Sequence, residues 1–303
     1  MRRLWSHRMI DCQPSLFAWG NTSIAWIAEH LRHAWLSPIM LFFSGFGKVG
    51  SVLFTIAIAY WCWHKRHGKY LCYGMFAALF VNLWLKGLVK ECRPPSTFWM
   101  EEVHSYSFPS GHAQIGILLW WGLAYYVRSR TLSPLFLFIG LMIALARPYM
   151  GVHYPQDIIA GGLLGIIIIG ITIWFEKKQI QPLKLLPLWG QSLLLIAFFA
   201  LFQMLVNDPE QFAIPTIGAC FGFWLGCQLE EKYVNYTPTE WLPRMKLLLI
   251  GSIGILLFWK GINLGRSYLS SDLSLLMKYP QYALLGFWIS YGAPRLMKRS
   301  SNH

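Results

Sequence analysis

Along this chain, long apolar runs alternate with short polar breaks at intervals that suit helices crossing a bilayer. Tyr70 to Leu85, Ile158 to Phe175, Leu185 to Asn207 and Gln211 to Leu229 contain no Asp, Glu, Lys or Arg, and each approaches the ~20 residues that span the hydrocarbon layer. Reading such runs as helices predicts spans near residues 48–63, 70–90, 111–127, 132–148, 157–175, 187–206, 212–229, 246–264 and 279–296. The expected fold is an all-α, polytopic membrane bundle of about nine transmembrane helices.

The stretch from Asn21 to Phe46 follows a different pattern. It mixes Trp26, Ile27, Leu31 and Trp35 with Glu29, His30, Arg32 and His33, which suits an amphipathic helix lying in the membrane interface, with a tenth span as the alternative. Three regions follow: an N-terminal region with this interfacial helix (1–47), a core (48–178), and a C-terminal extension of about four transmembrane helices (179–303).

Composition sharpens this picture. Of 303 residues, 55% are hydrophobic and 13% charged, against about 25% charged in soluble domains. The formal net charge of +13 is spread over short clusters between apolar runs: Lys65, Arg66 and Lys69; Arg128 and Arg130; Lys177, Lys178 and Lys184; Lys232, Arg244 and Lys246; Arg295, Lys298 and Arg299. Such clusters are topology signals and do not point to nucleic acid. With nine alternating spans all five fall on one side, expected to be cytoplasmic, so the loops 91–110, 149–156 and 207–211 face outward. The basic start, MRRLWSHRMIDCQPSLF, opposes this orientation mildly, and making residues 21–46 a span removes the conflict. That start lacks a long apolar core and a small-residue cleavage site, so no removable signal peptide is expected. Cys12, Cys62, Cys72, Cys92, Cys220 and Cys227 have no metal-type spacing, most lie in apolar runs, and they are read as small hydrophobes without chemistry.

Three segments at the outward helix ends carry residues an apolar bundle does not need. In the first, Lys86 and Arg93 lie seven positions apart, two helical turns, so both can point the same way. Arg offers a planar fork and Lys a compact charge, a pair suited to phosphate, although both residue types also snorkel to headgroups. The second is Phe108-Pro109-Ser110-Gly111-His112, just before an apolar helix. Its helix start offers free amide donors, Gly111 permits close approach, Ser110 adds a hydroxyl and His112 can move a proton; a simple helix cap would explain Ser110 alone. In the third, Arg147 precedes His153 and Asp157. The i, i+4 spacing, with Pro155 between, lets a carboxylate fix the tautomer of His153.

Lys86-x6-Arg93-Pro94, Pro109-Ser110-Gly111-His112 and Arg147-x5-His153-x3-Asp157 resemble, in order, the three signature motifs of the type 2 phosphatidic acid phosphatase superfamily. That superfamily also includes glucose-6-phosphatases and vanadium haloperoxidases. The resemblance covers roughly residues 48–175, and Ala146 stands where the family usually has Ser. It implies a phosphatase in which His153 is the nucleophile, forming a phosphohistidine, Asp157 orients it, and His112 is the general acid. Lys86, Arg93, Ser110, Gly111 and Arg147 would hold the phosphoryl oxygens. Three cations remove the need for a metal, and Glu91, Glu101 and Glu102 are too scattered for a Mg2+ site, so no metal or cofactor is expected.

The expected reaction is hydrolysis of a phosphomonoester or diphosphate, of a lipid first. The expected location is a bacterial inner membrane, with the site facing the periplasm or exterior and membrane lipids as its surroundings. The long C-terminal extension is similar to the glucose-6-phosphatase layout, which keeps a sugar phosphate as the alternative. A non-enzymatic anionic-lipid transporter or scramblase would need the cations but not the His153–Asp157 pair. Glu101, Glu102, His104, Ser105, Tyr106 and Ser107 are read as a solvated loop, with headgroup recognition as the second reading. The sequence carries no signal for oligomeric state.

Overall fold

The structure, a computed structural model, describes residues 12–14, 19–206 and 212–300. Every regular element among them is a helix, as expected. In order these are α1 (Trp19–His30), α2 (Leu36–Phe46), α3 (Val49–Ile58), α4 (Lys65–Val89), α5 (Gly111–Val127), α6 (Leu132–Tyr149), α7 (Pro155–Lys178), α8 (Leu188–Leu205), α9 (Ala213–Leu229), α10 (Trp241–Arg266), α11 (Ser271–Leu276), α12 (Lys278–Phe287) and α13 (Ala293–Ser300). The basic start of the chain and the expected outward loop 207–211 lie outside the described residues, apart from residues 12–14.

Five described helices, α4, α6, α7, α8 and α10, are long and apolar enough to cross a membrane, or six spans if α2 and the segment Val49–Trp63 count as one broken span. The expected count of about nine is not reached by this measure. α5 and α9 stop at 17 residues each, and the expected span 279–296 is interrupted by a π-helical turn at Trp288–Gly292. Residues 21–46 form two helices, α1 and α2, in place of the single interfacial helix expected. On α8, Leu193, Leu194, Ile196, Phe198, Leu201 and Leu205 are exposed. Apolar surface of this kind is unfavourable in water and at ease in lipid. The chain is an integral membrane protein.

Two compact units are present. The first includes residues 19–48 and Ala78–Ile169, the second Val49–Ala77, Gly170–Leu205 and residues 212–300.

In the first unit, α5 is buried almost all round, through Ala113, Gln114, Gly116, Ile117, Leu118, Leu119 and Trp120, as expected for a helix apolar on every face. α7 reaches it through Gly161 and Gly165. A Cβ at Gly161 would sit 2.5 Å from the Ser110 carbonyl oxygen, and one at Gly165 would sit 2.6 Å from that of Gln114. Small residues four apart let two backbones meet. This contact brings Asp157, one turn before Gly161, to the start of α5, where the Ser110 amide donates to the Asp157 carbonyl at 3.1 Å.

In the second unit, α9 and α12 lie side by side, with Gly218 and Gly222 against the backbone of Tyr279 and Ala283. Tyr60 and Trp61 donate to the carbonyls of Ser290 at 3.1 Å and Ile289 at 2.8 Å.

Cys12 and Cys92 form a disulfide across 80 residues of sequence. This corrects the reading of these two cysteines as inert. The Gln13 amide donates to the Lys90 carbonyl at 2.7 Å and the Cys92 amide to the Gln13 carbonyl at 2.8 Å, so the chain around Gln13 is stapled beside the segment leading to Arg93. The four described cysteines outside this bond are free thiols.

Candidate active site

The eight sequence-derived candidates all lie in the first unit, at the end of α4, the start of α5, the end of α6 and the start of α7. His153 and Asp157 are almost fully buried. The His153 Nδ1 lies 3.1 Å from Asp157 Oδ2, and its Nε2 lies 3.1 Å from Arg93 Nη1. A guanidinium only donates and a carboxylate only accepts. The network therefore assigns the proton to Nδ1, donated to Asp157, and leaves a lone pair on Nε2.

Asp157 Oδ2 is also the acceptor for the Ser107 hydroxyl at 2.5 Å and the Tyr154 amide at 2.9 Å, which fixes the carboxylate before it orients anything else. Burial, and then the charges of Arg93, Lys86 and Arg147 with a smaller contribution from His112, hold the His153 imidazole well below the ordinary histidine range. It is a neutral ring at neutral pH.

Arg93 is fixed by its own loop. Nε donates to the Ser105 carbonyl at 2.6 Å, Nη2 to the Ser105 hydroxyl at 2.8 Å, and Nη1 to the Val152 carbonyl at 2.6 Å. The Val152 carbonyl arrives there through a tight turn at Gly151, where φ is +73° and a Cβ would meet the Phe98 carbonyl oxygen at 2.1 Å. Glycine is required on both counts. Lys86, buried at the end of α4, donates to the carbonyls of Tyr106 and, at 3.2 Å, Ser107.

The hydroxyl of Ser110 caps α5, accepting from the Ala113 amide at 3.5 Å, so the cap reading holds for this side chain. Gly111 opens the helix against Asn82, whose Oδ1 would lie 3.2 Å from an added Cβ. The Nε2 of His112 and the Nε of Arg147 are buried without a hydrogen-bond partner among the described residues. Buried polar atoms of this kind usually find one, and both belong to groups that would face an anion. Arg147 Nη1 donates to Ser44 Oγ at 2.8 Å and lies 2.6 Å from Glu101 Oε1. Among the described residues no group of three or more His, Cys, Asp and Glu side chains is arranged to hold a metal ion.

This arrangement combines a cationic cradle, a neutral imidazole with an aimed lone pair, and a second imidazole with an unsatisfied nitrogen. Residues 68–181 match the model of the PAP2 superfamily, and residues 214–302 match that of the "PAP2 superfamily phosphatase, transmembrane extension". The chain belongs to the PAP2 superfamily. It is a phosphatase, and the separate C-terminal stretch has a counterpart among PAP2 phosphatases.

Among PAP2 relatives, lipid phosphate phosphatase gamma of Arabidopsis thaliana is 26% identical over 171 residues, 51% of this chain and 70% of its own length. Undecaprenyl-diphosphatase BcrC of Bacillus subtilis is 29% identical over 159 residues, 48% of this chain and 78% of its own. The crystal structure of a transmembrane PAP2-type phosphatidylglycerolphosphate phosphatase from Bacillus subtilis aligns with 53% of this chain and 87% of its own, at 22% identity and a TM-score of 0.47.

Several contacts of the PAP2 site were not legible in the sequence. Glu101, read as part of a solvated loop, sits on Arg147, and Ser107 holds Asp157. Asn82 donates to the Pro109 carbonyl at 3.2 Å and to Gln114 Oε1 at 2.9 Å, supporting the turn before His112. A polar residue inside an apolar helix, one turn before Lys86, was the available signal for Asn82. Arg32, assigned to an interfacial helix, donates to the carbonyls of Tyr149 at 3.0 Å and Phe98 at 2.6 Å and so ties the third motif to the loop after the first.

Proposed function

We propose that the chain hydrolyses the terminal phosphate of a lipid phosphate or lipid diphosphate through a phosphohistidine on His153, at the outward face of a bacterial inner membrane. The observation that carries this reading is the orientation of His153, with Nδ1 tied to Asp157 Oδ2 and Nε2 directed to Arg93. In the proposed reaction, Nε2 forms a bond to phosphorus as the bond to the leaving oxygen breaks, and His112 gives its proton to that oxygen. Water, deprotonated by His112, then attacks phosphorus and releases His153 and inorganic phosphate. Lys86, Arg93, Arg147, the start of α5 at Gly111 and, on reorientation of its hydroxyl, Ser110 carry the charge that spreads over the equatorial oxygens.

The lipid preference draws on the relatives, named for a lipid phosphate and an undecaprenyl diphosphate, and on a site built at helix ends. The long C-terminal region, which by layout favoured a glucose-6-phosphatase type, has its own PAP2 model over residues 214–302. It gives the sugar-phosphate alternative no separate support. We read 48–178 as the phosphatase core, 179–303 as the extension and 1–47 as an N-terminal region. The outward orientation draws on basic clusters at the opposite helix ends and on the Cys12–Cys92 disulfide next to Arg93, a bond that persists in oxidising compartments.

A panel of short-chain phosphatidate, a polyprenyl diphosphate and glucose 6-phosphate, offered to the detergent-solubilised protein without added divalent metal, tests the reading by phosphate release. The lipid substrates are expected to turn over at least tenfold faster than the sugar phosphate at equal concentration; the reverse order overturns the lipid assignment.

A second expectation concerns pH. His153 attacks only when neutral, and its site disfavours the protonated ring, so protonation should silence it at a lower pH than for an ordinary histidine. The acid limb of kcat/KM, corrected for ionisation of the substrate, should lie below about 6.5. A limb above that value contradicts the assigned environment.

A further inference from the structure

Glu101 occupies one of the Arg147 donors that a phosphoryl oxygen would use. Its Oε1 lies 2.6 Å from Arg147 Nη1, on a guanidinium side chain only 1% exposed, while Oε2 lies 3.7 Å from Lys48 Nζ. Carboxylate and phosphoryl oxygens approach a guanidinium in the same geometry, so the two cannot share this donor. The exchange needs little movement of the chain. The loop backbone is anchored by the Met100 amide on the Met150 carbonyl at 3.0 Å and by Trp99 Nε1 on the Pro94 carbonyl at 2.8 Å. The Glu101 side chain itself lines an open cavity of about 470 Å³ with Trp99, Glu102 and His104. Rotation into that cavity would free Arg147 while the loop stays in place.

We infer that Glu101 sets an affinity threshold at the site, a built-in carboxylate that the stronger binding of a doubly charged terminal phosphate overcomes on Arg147 and the weaker binding of a singly charged phosphodiester does not. This rests on the proposed reading of Arg147 as a phosphate ligand. A buried guanidinium stripped of its partner is costly, so Glu101 leaves only for a ligand that replaces its charge and adds more. A terminal phosphate brings a second negative charge and three free oxygens. A diester headgroup brings one charge, equal to that of Glu101, and fewer free oxygens. Diester headgroups surround any site at the edge of a phospholipid bilayer, and the tethered carboxylate weakens their binding by a constant factor.

The test uses the full-length protein in detergent, hydrolysing short-chain phosphatidate, with inorganic phosphate and a short-chain phosphodiester phospholipid as competing inhibitors. If the guanidinium is free of Glu101 for a tenth of the time, removing the carboxylate tightens weak ligands by about tenfold. Glu101→Gln should therefore lower the inhibition constants of the diester and of inorganic phosphate alike by about tenfold, which brings the weakly binding diester into the range where it competes. Glu101→Asp, which restores the charge, should move both constants back toward wild type.

An unchanged or raised diester constant in Glu101→Gln overturns the inference, as does a Glu101→Asp protein as permissive as Glu101→Gln. Should Glu101→Gln fail to fold, Glu101→Ala is read by the same criteria. A wild-type protein that hydrolyses phosphatidate and responds to phosphate, beside variants with unaltered inhibition constants, removes this inference alone. A wild-type protein with neither property removes it together with the proposed function.

Discussion

Replacing His153 with alanine is expected to reduce turnover by a factor of about 10⁴ or more, because removing an activated nucleophile leaves only the charge stabilisation of the surrounding site. In the proposed reaction the nucleophilic role falls on one atom. Nδ1 is committed to Asp157 at 3.1 Å, so Nε2, which accepts from Arg93 Nη1 at 3.1 Å, is the ring nitrogen that carries the lone pair for the proposed attack. Lys86, Arg93 and Arg147 remain in the variant, so phosphate should still bind and KM should move far less than kcat. Single-turnover phosphate release measures the loss, and rapid denaturation of wild type during turnover should trap acid-labile, base-stable phosphate that the variant lacks. A decrease smaller than tenfold would exclude His153 as the nucleophile. A flux role for the same cations, by contrast, would survive the substitution.

Asp157→Asn is expected to cost about 10³ to 10⁴ in kcat, less than loss of the nucleophile itself. The carboxylate accepts from His153, the Ser107 hydroxyl and the Tyr154 amide through one oxygen, Oδ2, with no exposed surface. A neutral amide oxygen in that place accepts the three donors more weakly. If its NH₂ group faces the ring, His153 carries its proton on Nε2, where no lone pair is left for phosphorus. Loss of a buried acceptor should also cost about 1–3 kcal/mol of stability. Thermal unfolding of the variant in detergent separates this cost from the catalytic one. A folded Asp157→Asn protein with kcat within a few-fold of wild type would show that the carboxylate does not orient the ring.

These expectations hinge on contacts of two kinds, and they were not equally visible beforehand. The pairing of His153 with Asp157 follows from four residues of spacing at the start of a helix, and the cap at Ser110 from a hydroxyl residue just before an apolar run. Both are local. Asn82, Ser107 and Glu101 give weak local signals: each is a single polar residue in a helix or loop whose partner lies 50 residues away or less, at distances no period describes. Glu101 in particular reads as a solvated residue because loops are usually exposed; Arg147 reaches it only through folding.

The number of spans illustrates the other limit. Apolar runs predicted about nine, yet run length does not show where a helix will tighten, break or turn. α5 and α9 end at 17 residues, and the last expected span is interrupted by a π-helical turn at Trp288–Gly292. Hydropathy records which residues avoid water, and several backbone paths satisfy that preference equally.

By itself the sequence determined that this is a helical membrane protein carrying three ordered motifs of a phosphatase family, because apolar run length and short fixed spacings are properties of local chain geometry. The tertiary structure alone decided that Cys12 bonds to Cys92 across 80 residues, that Asp157 meets the start of α5 through Gly161 and Gly165, and that Glu101 rests on Arg147. Each of those depends on how closely two distant backbones pack, and close packing is settled by the whole set of side chains between them.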